Sequence, residues 1–286
     1  MTLCNFAHTF PHFVAKILER DRSLKRNFRE ESITDMLMAG LSTFKSFGIH
    51  VDFPNEPVTG GDMEWIFVAP NQLNGGAFFS LLIQAKRARL AKRKKGDYWL
   101  YDHLDHGSPA GSQAQTLINY TKSTKGATAP LYMFYNPLSA TEPAKGTLPA
   151  IEGINLVFAD FIAPVIKNGC TVNEKKVDRW RKHFMPLSNI LCHSCNAKPS
   201  HKYIHANLFT KNYWNHPSFI VRRLNKIYKS QLNDTENRNI NSKFKIKRGI
   251  PSNIIRSING DTTKEDIMNL ERPRVIFSSS ATAFFD

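Results

Sequence analysis

The segment FFSLLIQAKR at residues 78–87 restricts the folds open to this chain more than any other stretch. Successive side chains of a β-strand point to opposite faces of the sheet. Both faces of this strand would be apolar, through Phe78, Phe79, Leu81, Leu82 and Ile83. That pattern is typical of a central strand covered on both sides, so we expect a sheet between layers of helices.

The segments around this strand follow an α/β order. Apolar spacing and turn residues predict, in sequence, helices at 10–26 and 29–47, strands at 49–53, 63–68 and 77–86, a helix at 112–122 and a strand at 130–136. The strands at 63–68 and 77–86 are expected to pair as an antiparallel hairpin, because only a short turn-like segment separates them. We therefore predict an α/β fold with a mixed central sheet flanked by helices.

The C-terminal third differs in composition from the rest of the chain. From about Lys198 it is polar, basic and rich in asparagine. We therefore predict one domain over residues 1–190 and a basic C-terminal extension over residues 191–286. That extension could be an extended arm or partly disordered, since it has little apolar surface to offset the entropy of ordering.

The charge of the chain indicates a polyanionic partner. The formal net charge is +15, and a positive surface field attracts polyanions, of which nucleic acid is the commonest. The run KRARLAKRKK (86–95) holds seven basic residues and no acid, and a second basic stretch covers residues 222–248. Either run alone could be a solvated face, but together they favour contact with a phosphate backbone.

The sequence also carries signals of its compartment. No apolar run approaches the length of a membrane span, and the first residues lack the features of a signal peptide. Four cysteines in 286 residues do not make a disulfide framework. We therefore expect a cytoplasmic protein without a membrane partner.

Polar residues stand at the ends of two neighbouring predicted strands. Asp62 and Glu64 open one strand, and Gln84 and Lys86 close the next. Residues two apart share a face of a strand, so the four side chains can converge at one end of the hairpin. Three of them offer oxygen ligands of the kind Mg²⁺ prefers, and the fourth is an ammonium.

A helix supplies a further acidic residue. Glu30 falls beside the apolar stripe of the helix at 29–47, whereas Glu31 points away, so Glu30 is the better candidate to face the sheet. Gly60 and Gly61, just before Asp62, leave the backbone bare for the approach of a phosphodiester.

These residues resemble a known superfamily. A helix with Glu, then Gly-Asp at the start of a strand, then Gln-Ala-Lys at the end of the next strand is similar to the PD-(D/E)xK nucleases, in the Gln-x-Lys form shared by Mrr-type restriction enzymes. The wider pattern of EESITD, TGGDMEWIFV, LLIQAKR, YDHL, QAQTLINY and PLYMFYN also resembles a largely uncharacterised group of bacterial restriction-endonuclease-like proteins. The resemblance covers residues 28–136.

The resemblance implies a restriction-endonuclease-like fold and Mg²⁺-dependent hydrolysis of DNA, with Mn²⁺ as a substitute. Asp62 would bind the metal, Gln84 would supply a neutral carbonyl ligand, and Lys86 would orient or activate the attacking water. Glu30, or Glu31, would ligate a second ion or hold a metal-bound water, and Glu64 could assist. Because Gln84 replaces the usual acid, the site has one negative charge fewer than is typical.

The resemblance also suggests how DNA would be held. Gln113 is similar to a helical glutamine that many of these nucleases place beside the active site, with Gln115 as the near alternative. The basic run would add DNA contacts through Arg87, Arg89, Lys92 and Arg93. Double-stranded DNA is the expected substrate, and the company such proteins keep implies bacterial defence against phage or foreign DNA. Association with a second copy or with a partner defence protein stays open.

Two other interpretations compete with the endonuclease. One is a catalytically inactive nuclease-fold module that binds nucleic acid or a partner protein. The other is a zinc-dependent nucleic-acid-binding protein built on CHSC (192–195), with His183, His201 and His205 nearby. One Cys-x-x-Cys is only half of a zinc site, so this third interpretation has the least support. The loop YDHLDH (101–106) is expected to be a structured loop over the site.

Overall fold

The computed structural model describes residues 1–21, 24, 28–54, 62–70, 75–92, 94, 96–105, 107–108, 111–167, 170–192, 215–232 and 242–279. Its α-helices are α1 (Leu3–Asp21), α2 (Glu30–Ser42), α3 (Gln113–Ser123), α4 (Ala159–Ile166), α5 (Val172–Lys175), α6 (Val177–Trp180), α7 (Ser188–Leu191), α8 (Pro217–Gln231), α9 (Ser252–Asn259) and α10 (Lys264–Met268). Short 3-10 helices cover Lys45–Phe47, Leu138–Ala140 and Arg181–His183.

The strands of the main sheet are β1 (Ile49–Asp52), β2 (Met63–Ala69), β3 (Ala77–Arg87), β8 (Thr128–Tyr135), β9 (Ile154–Phe158), β10 (Met185–Pro186), β11 (Lys247–Arg248) and β12 (Arg274–Ser278). Two small two-stranded sheets are formed by β4 (Arg89–Ala91) with β5 (Tyr98–Leu100), and by β6 (Gly107–Ser108) with β7 (Gly111–Ser112).

The eight-stranded main sheet is mixed. Its order is β1-β12-β2-β3-β8-β9-β10, and β11 pairs with the start of β3. The pairs β12–β2 and β3–β8 are parallel, whereas β2–β3, β8–β9 and β1–β12 are antiparallel. The predicted α/β class, with a mixed central sheet flanked by helices, is confirmed.

Both faces of the sheet are covered, as the two-sided apolar pattern of β3 predicts. Ile83 belongs to a core cluster formed with α1, α2 and α8, whereas its neighbour Leu82 belongs to a second cluster formed with α3, α4 and α6. A smaller cluster joins β2 and β12 to α9 through Ile66, Val68, Ile254 and Ile276. Leu82 and Ile83 therefore point to opposite faces of the sheet, and each packs against a different layer of helices.

The helix ends depart from their predicted positions. The first helix begins at Leu3, since buried Leu3 and Phe6 continue its apolar stripe toward the N-terminus, and it ends at Asp21. The second helix ends at Ser42 and is followed by a 3-10 turn over Lys45–Phe47. Both helices still present their apolar stripes to the sheet, so the layer assignment is unaffected.

The C-terminal segment contributes to the main sheet. Strand β12 lies between β1 and β2 and pairs with β2 in parallel from Arg274 to Ser278. Gly48, at φ 78°, permits a close approach, because a Cβ there would lie 2.7 Å from the carbonyl oxygen of Ser278. Helix α8 also packs into the core through buried Leu224. The predicted boundary after residue 190 is therefore not a boundary of the sheet, and residues 191–286 are more than a basic extension.

Across the described ranges, no helix combines the length and the apolar character that crossing a membrane requires.

The position of β12 between β1 and β2 predicts that the C-terminal segment stabilises the fold. Phe277 is fully buried and stacks on Phe67 with ring centroids 4.6 Å apart. We expect Phe277→Ala to lower the free energy of unfolding by about 3–5 kcal/mol, because it removes a large side chain from the core. Chemical denaturation measures this change.

The matched control lies in the same segment. Met268 is 75% exposed, so Met268→Ala should change the free energy of unfolding by no more than about 0.5 kcal/mol. Equal and small effects of both substitutions would show that β12 is dispensable to the fold.

Candidate active site

A row of polar groups crosses three neighbouring strands at one end of the sheet. Because Met63 pairs with Ile83, Asp62 comes to lie beside Gln84, and Gln84 pairs with Tyr132 on β8. Gln84 Nε2 donates a hydrogen bond of 2.7 Å to Asp62 Oδ2, and the amide of Ala85 donates to the same oxygen. The predicted meeting of Asp62 with Gln84 is therefore present in the structure.

Helix α2 brings the predicted acid to this end of the sheet. Glu30 Oε1 accepts a hydrogen bond of 2.9 Å from the amide of Arg87, and its Oε2 lies 3.9 Å from Lys86 Nζ. The side chain of Lys86 is only 5% exposed. Glu31 is exposed. The expectation that Glu30 faces the sheet and Glu31 points away agrees with these positions.

The environment of Asp62 disfavours the charged form of its carboxyl group. Burial raises its pKa from 3.8 to about 6. The hydrogen bond from Ala85 and the positive charge of Lys86 oppose that rise, whereas the negative charges of Glu30 and Glu31 add to it. A buried carboxylate with acidic neighbours gains from a cation, because the cation compensates both the desolvation and the like-charge repulsion.

The cluster formed by Glu30, Asp62, Gln84 and Lys86 combines complementary chemistry. Two carboxylates and one amide carbonyl offer hard oxygen donors, which suit Mg²⁺. The buried ammonium of Lys86 supplies positive charge at the same place, where a low dielectric strengthens its effect on an anion. Such a set can hold a divalent cation and a phosphate group side by side.

Glu64 has a partner outside this cluster. In the register of β12 with β2 it stands opposite Arg274, and Arg274 Nε lies 3.4 Å from Glu64 Oε2. The charge of Glu64 acts on Tyr120 of α3 and raises the pKa of that phenol, together with burial, which is the larger cause. Glu64 therefore forms an ion pair between strands, and its assisting role in catalysis stays a prediction.

Arg87 also has a structural role in place of the predicted DNA contact. Its guanidinium donates to Asp21 Oδ2 at 2.7 Å and to the carbonyl oxygen of Phe28. Both partners of the ion pair are buried, with side chains 9% exposed for Arg87 and 2% exposed for Asp21. Arg87 therefore ties α1 and the segment before α2 to the end of β3.

Other basic residues of the run line a cleft at the protein surface. Arg89 and Lys92 are exposed and line a cleft of about 460 Å³ at the end of β3, which also includes Trp99 and Pro137. Arg93 lies outside the described residues. Gly60 and Gly61, expected to give a phosphodiester access to Asp62, are also outside them.

Helix α3 carries the two predicted glutamines. Gln113 is its first residue, and its Oε1 is a buried acceptor that finds no hydrogen-bond partner within the described part of the chain. Gln115 donates to Asn119 at 2.9 Å on the exposed side of the same helix. Gln113 thus has the unused hydrogen-bonding capacity that a ligand contact requires.

Sequence reasoning missed Tyr132. Tyr132, in the strand predicted at 130–136, is fully buried. Its hydroxyl, however, has no hydrogen-bond partner in the described chain, and the charge of Asp62 adds to the effect of burial in raising its pKa. The pairing of Tyr132 with Gln84 depends on the parallel register of β3 and β8, which no local pattern shows.

The YDHLDH loop is ordered where it is described. Tyr101 is buried and its hydroxyl donates to Asn136 Oδ1 at 2.8 Å. Asp105 pairs with Lys175 at 2.7 Å. These contacts agree with the expected structured loop, and His106 lies outside the described residues.

Comparison with known proteins places the chain in a family but adds no function. A model described as a family of unknown function (DUF6615) matches residues 3–283. No curated protein and no solved structure matches the chain. Any assignment of activity therefore depends on the residues of the site.

The raised pKa of Asp62 makes a testable prediction about stability. A carboxyl group with a higher pKa in the folded state binds protons more tightly when folded, so its ionisation destabilises the fold as pH rises from 3.8 to about 6. Asp62→Asn keeps an acceptor for Gln84 and Ala85 but cannot ionise. We expect it to raise the free energy of unfolding by up to about 3 kcal/mol above about pH 6, and much less near pH 4.

Urea denaturation of both proteins at about pH 4 and about pH 8 measures this difference. Asp97→Asn, at an exposed carboxylate, is the control and should give the same small change at both pH values. A pH-independent effect of Asp62→Asn would contradict the raised pKa.

Proposed function

Because the chain belongs to the DUF6615 family, whose function is unknown, we propose from its own residues that it is a Mg²⁺-dependent endonuclease hydrolysing phosphodiester bonds of double-stranded DNA. The observation that carries this proposal is the meeting of Asp62, Gln84, Lys86 and Glu30 at one end of β2 and β3. Carboxylate and amide oxygens beside a buried ammonium match the needs of phosphoryl chemistry.

The residues present fit a divalent cation. Asp62 is a half-buried carboxylate whose pKa is raised by desolvation and, to a smaller extent, by Glu30 and Glu31, so the site itself favours added positive charge. Asp62 and Gln84 would hold the ion, with Glu30 at the second position. When bound, the cation would supply Lewis-acid polarisation of a phosphate and neutralise its charge.

Lys86 provides the second positive charge. Its 3.9 Å separation from Glu30 is an ion pair too long for a hydrogen bond, and an ammonium carries three donors. Lys86 can therefore direct N–H groups to a phosphate oxygen or to the attacking water while Glu30 keeps it in position. A buried charge that is already oriented stabilises negative charge developing in the transition state at little reorganisation cost.

Gln84 holds Asp62 in place through its amide group. The hydrogen bond from Gln84 Nε2 to Asp62 Oδ2 fixes the carboxylate orientation, and the amide oxygen of Gln84 is then the atom available as a neutral ligand. A glutamine in place of an acid lowers the negative charge of the site by one. We expect the affinity for Mg²⁺ to be lower than in sites with the acid.

The charge distribution supports a nucleic-acid substrate. The net charge is +15, and the exposed Arg89 and Lys92, which come three and six residues after Lys86, line the cleft at the end of β3. We infer that a phosphate backbone bound along these groups would extend toward Lys86 at the end of the same strand. A role in bacterial defence against phage or foreign DNA is proposed on the resemblance alone.

Plasmid cleavage tests the proposal. Purified protein with Mg²⁺ or Mn²⁺ should nick or cut plasmid DNA, and Asp62→Ala and Lys86→Ala should each lower the rate by at least about 100-fold, since each removes a charge that acts in the transition state. DNA binding by both variants should stay within about threefold of wild type, because phosphate contacts elsewhere dominate affinity. Lys145→Ala, at an exposed lysine of the loop after the Leu138–Ala140 turn, is the matched control and should cut normally.

Two outcomes would overturn the assignment. Equal cutting by wild type and both variants would exclude this site as the source of activity. Tight, salt-sensitive binding with no cutting under either metal would favour the catalytically inactive nucleic-acid-binding module.

A further inference from the structure

Three side chains of the types that ligate metals meet in the structure, and none of them belongs to the cluster of Glu30, Asp62, Gln84 and Lys86. Cys4 and His8 of α1 and Cys192, directly after α7, place their ligand atoms within 4.8 Å of one another. Cys192 is 1% exposed, Cys4 is half-buried and His8 is exposed. The first two residues and the third are separated by more than 180 positions in sequence, so tertiary folding alone brings them together.

The local geometry suits a common ligand. Cys4 and His8 are four residues apart on a helix, so their side chains lie on one face, one turn apart. Helix α7 packs against α1 and delivers Cys192 to that face. Two thiolates and one imidazole form part of the tetrahedral ligand sets that hold structural zinc.

We propose that Cys4, His8 and Cys192 form a zinc site that ties the N-terminal helix to the segment after α7. In the sequence Cys192 opens CHSC, whose Cys-x-x-Cys spacing is typical of zinc ligation. The partners expected from sequence were the nearby histidines. His183 instead stacks on Phe161 with ring centroids 4.3 Å apart, while His201 and His205 lie outside the described residues.

The same sulfur atoms can also form a disulfide. The Sγ atoms of Cys4 and Cys192 lie in bonding contact in the structure. A disulfide needs two sulfurs only, whereas this site includes a third donor, the imidazole one helical turn from Cys4. In a reducing compartment the two thiolates would be available to a metal, and zinc would then hold together the elements that the disulfide joins after oxidation.

Metal analysis of the full chain tests the site. After reduction, equilibration with Zn²⁺ and desalting, wild-type protein should retain about one zinc ion per chain. Cys4→Ser, Cys192→Ser and His8→Ala should each lower zinc affinity at least about tenfold, measured by competition with a chromophoric chelator. Cys170→Ser, at a free cysteine outside the cluster, is the matched control and should retain the metal.

Cobalt spectroscopy keeps the test informative where a serine variant folds poorly. Chelator-stripped wild-type protein loaded with Co²⁺ should show thiolate-to-cobalt charge-transfer bands. Cys192→His, which replaces one ligand by another, should keep the metal with weaker thiolate bands. Asp62→Ala should retain its zinc, so failure of the endonuclease assignment would leave this result unchanged.

Defined results would overturn the zinc site. Reduced wild-type protein that retains no zinc would exclude it, as would unchanged zinc affinity in folded Cys4→Ser and Cys192→Ser. A third result would show that the pair is a disulfide only. After purification with Zn²⁺ and reductant, two of the four cysteines would still not react with a thiol reagent, and the protein mass would be two hydrogens lower than that of the fully reduced chain.

Discussion

The antiparallel pairing of β2 with β3 is the constraint on which the site depends. The register from Met63 opposite Ile83 to Ala69 opposite Ala77 fixes where both strands end. It brings Asp62 against Gln84, with Lys86 two residues further along β3. A slip of one residue would turn these side chains toward the opposite helical layer. The two-sided burial of β3 makes such a slip costly, because apolar and polar groups would exchange places.

That register places Asp62 where the charged form of its carboxyl group is unfavourable, and a bound cation would relieve this. Asp62 is half-buried near the negative charges of Glu30 and Glu31, and desolvation and this repulsion raise its pKa. Lys86 offsets part of the effect but remains 3.9 Å from Glu30. A fold that retains such a carboxylate gives up stability near neutral pH, and a bound cation would restore it. The same feature therefore links the stability of the hairpin to the proposed chemistry.

Local patterns predicted the hairpin and the central strand well, because strand periodicity and two-sided hydrophobicity act over a few residues. They also identified Glu30 over Glu31, since helical spacing decides which acid faces the sheet. Local patterns did not predict the ion-pair partners of Glu64 and Arg87. Their partners are Arg274 and Asp21, which belong to distant strands and helices. An ion pair between residues so far apart in sequence leaves no periodic signal in either segment.

The sequence by itself determined the layered α/β architecture, the hairpin and the polar residues at its open end, because burial patterns and turn residues are local properties of the chain. Only the tertiary structure decided that β12 enters the sheet beside β2, that Tyr132 stands next to Gln84, and that Cys192 meets Cys4 and His8. These outcomes depend on strand order, parallel register and helix docking. Long-range packing selects them, and many sequences with the same local pattern could pack otherwise.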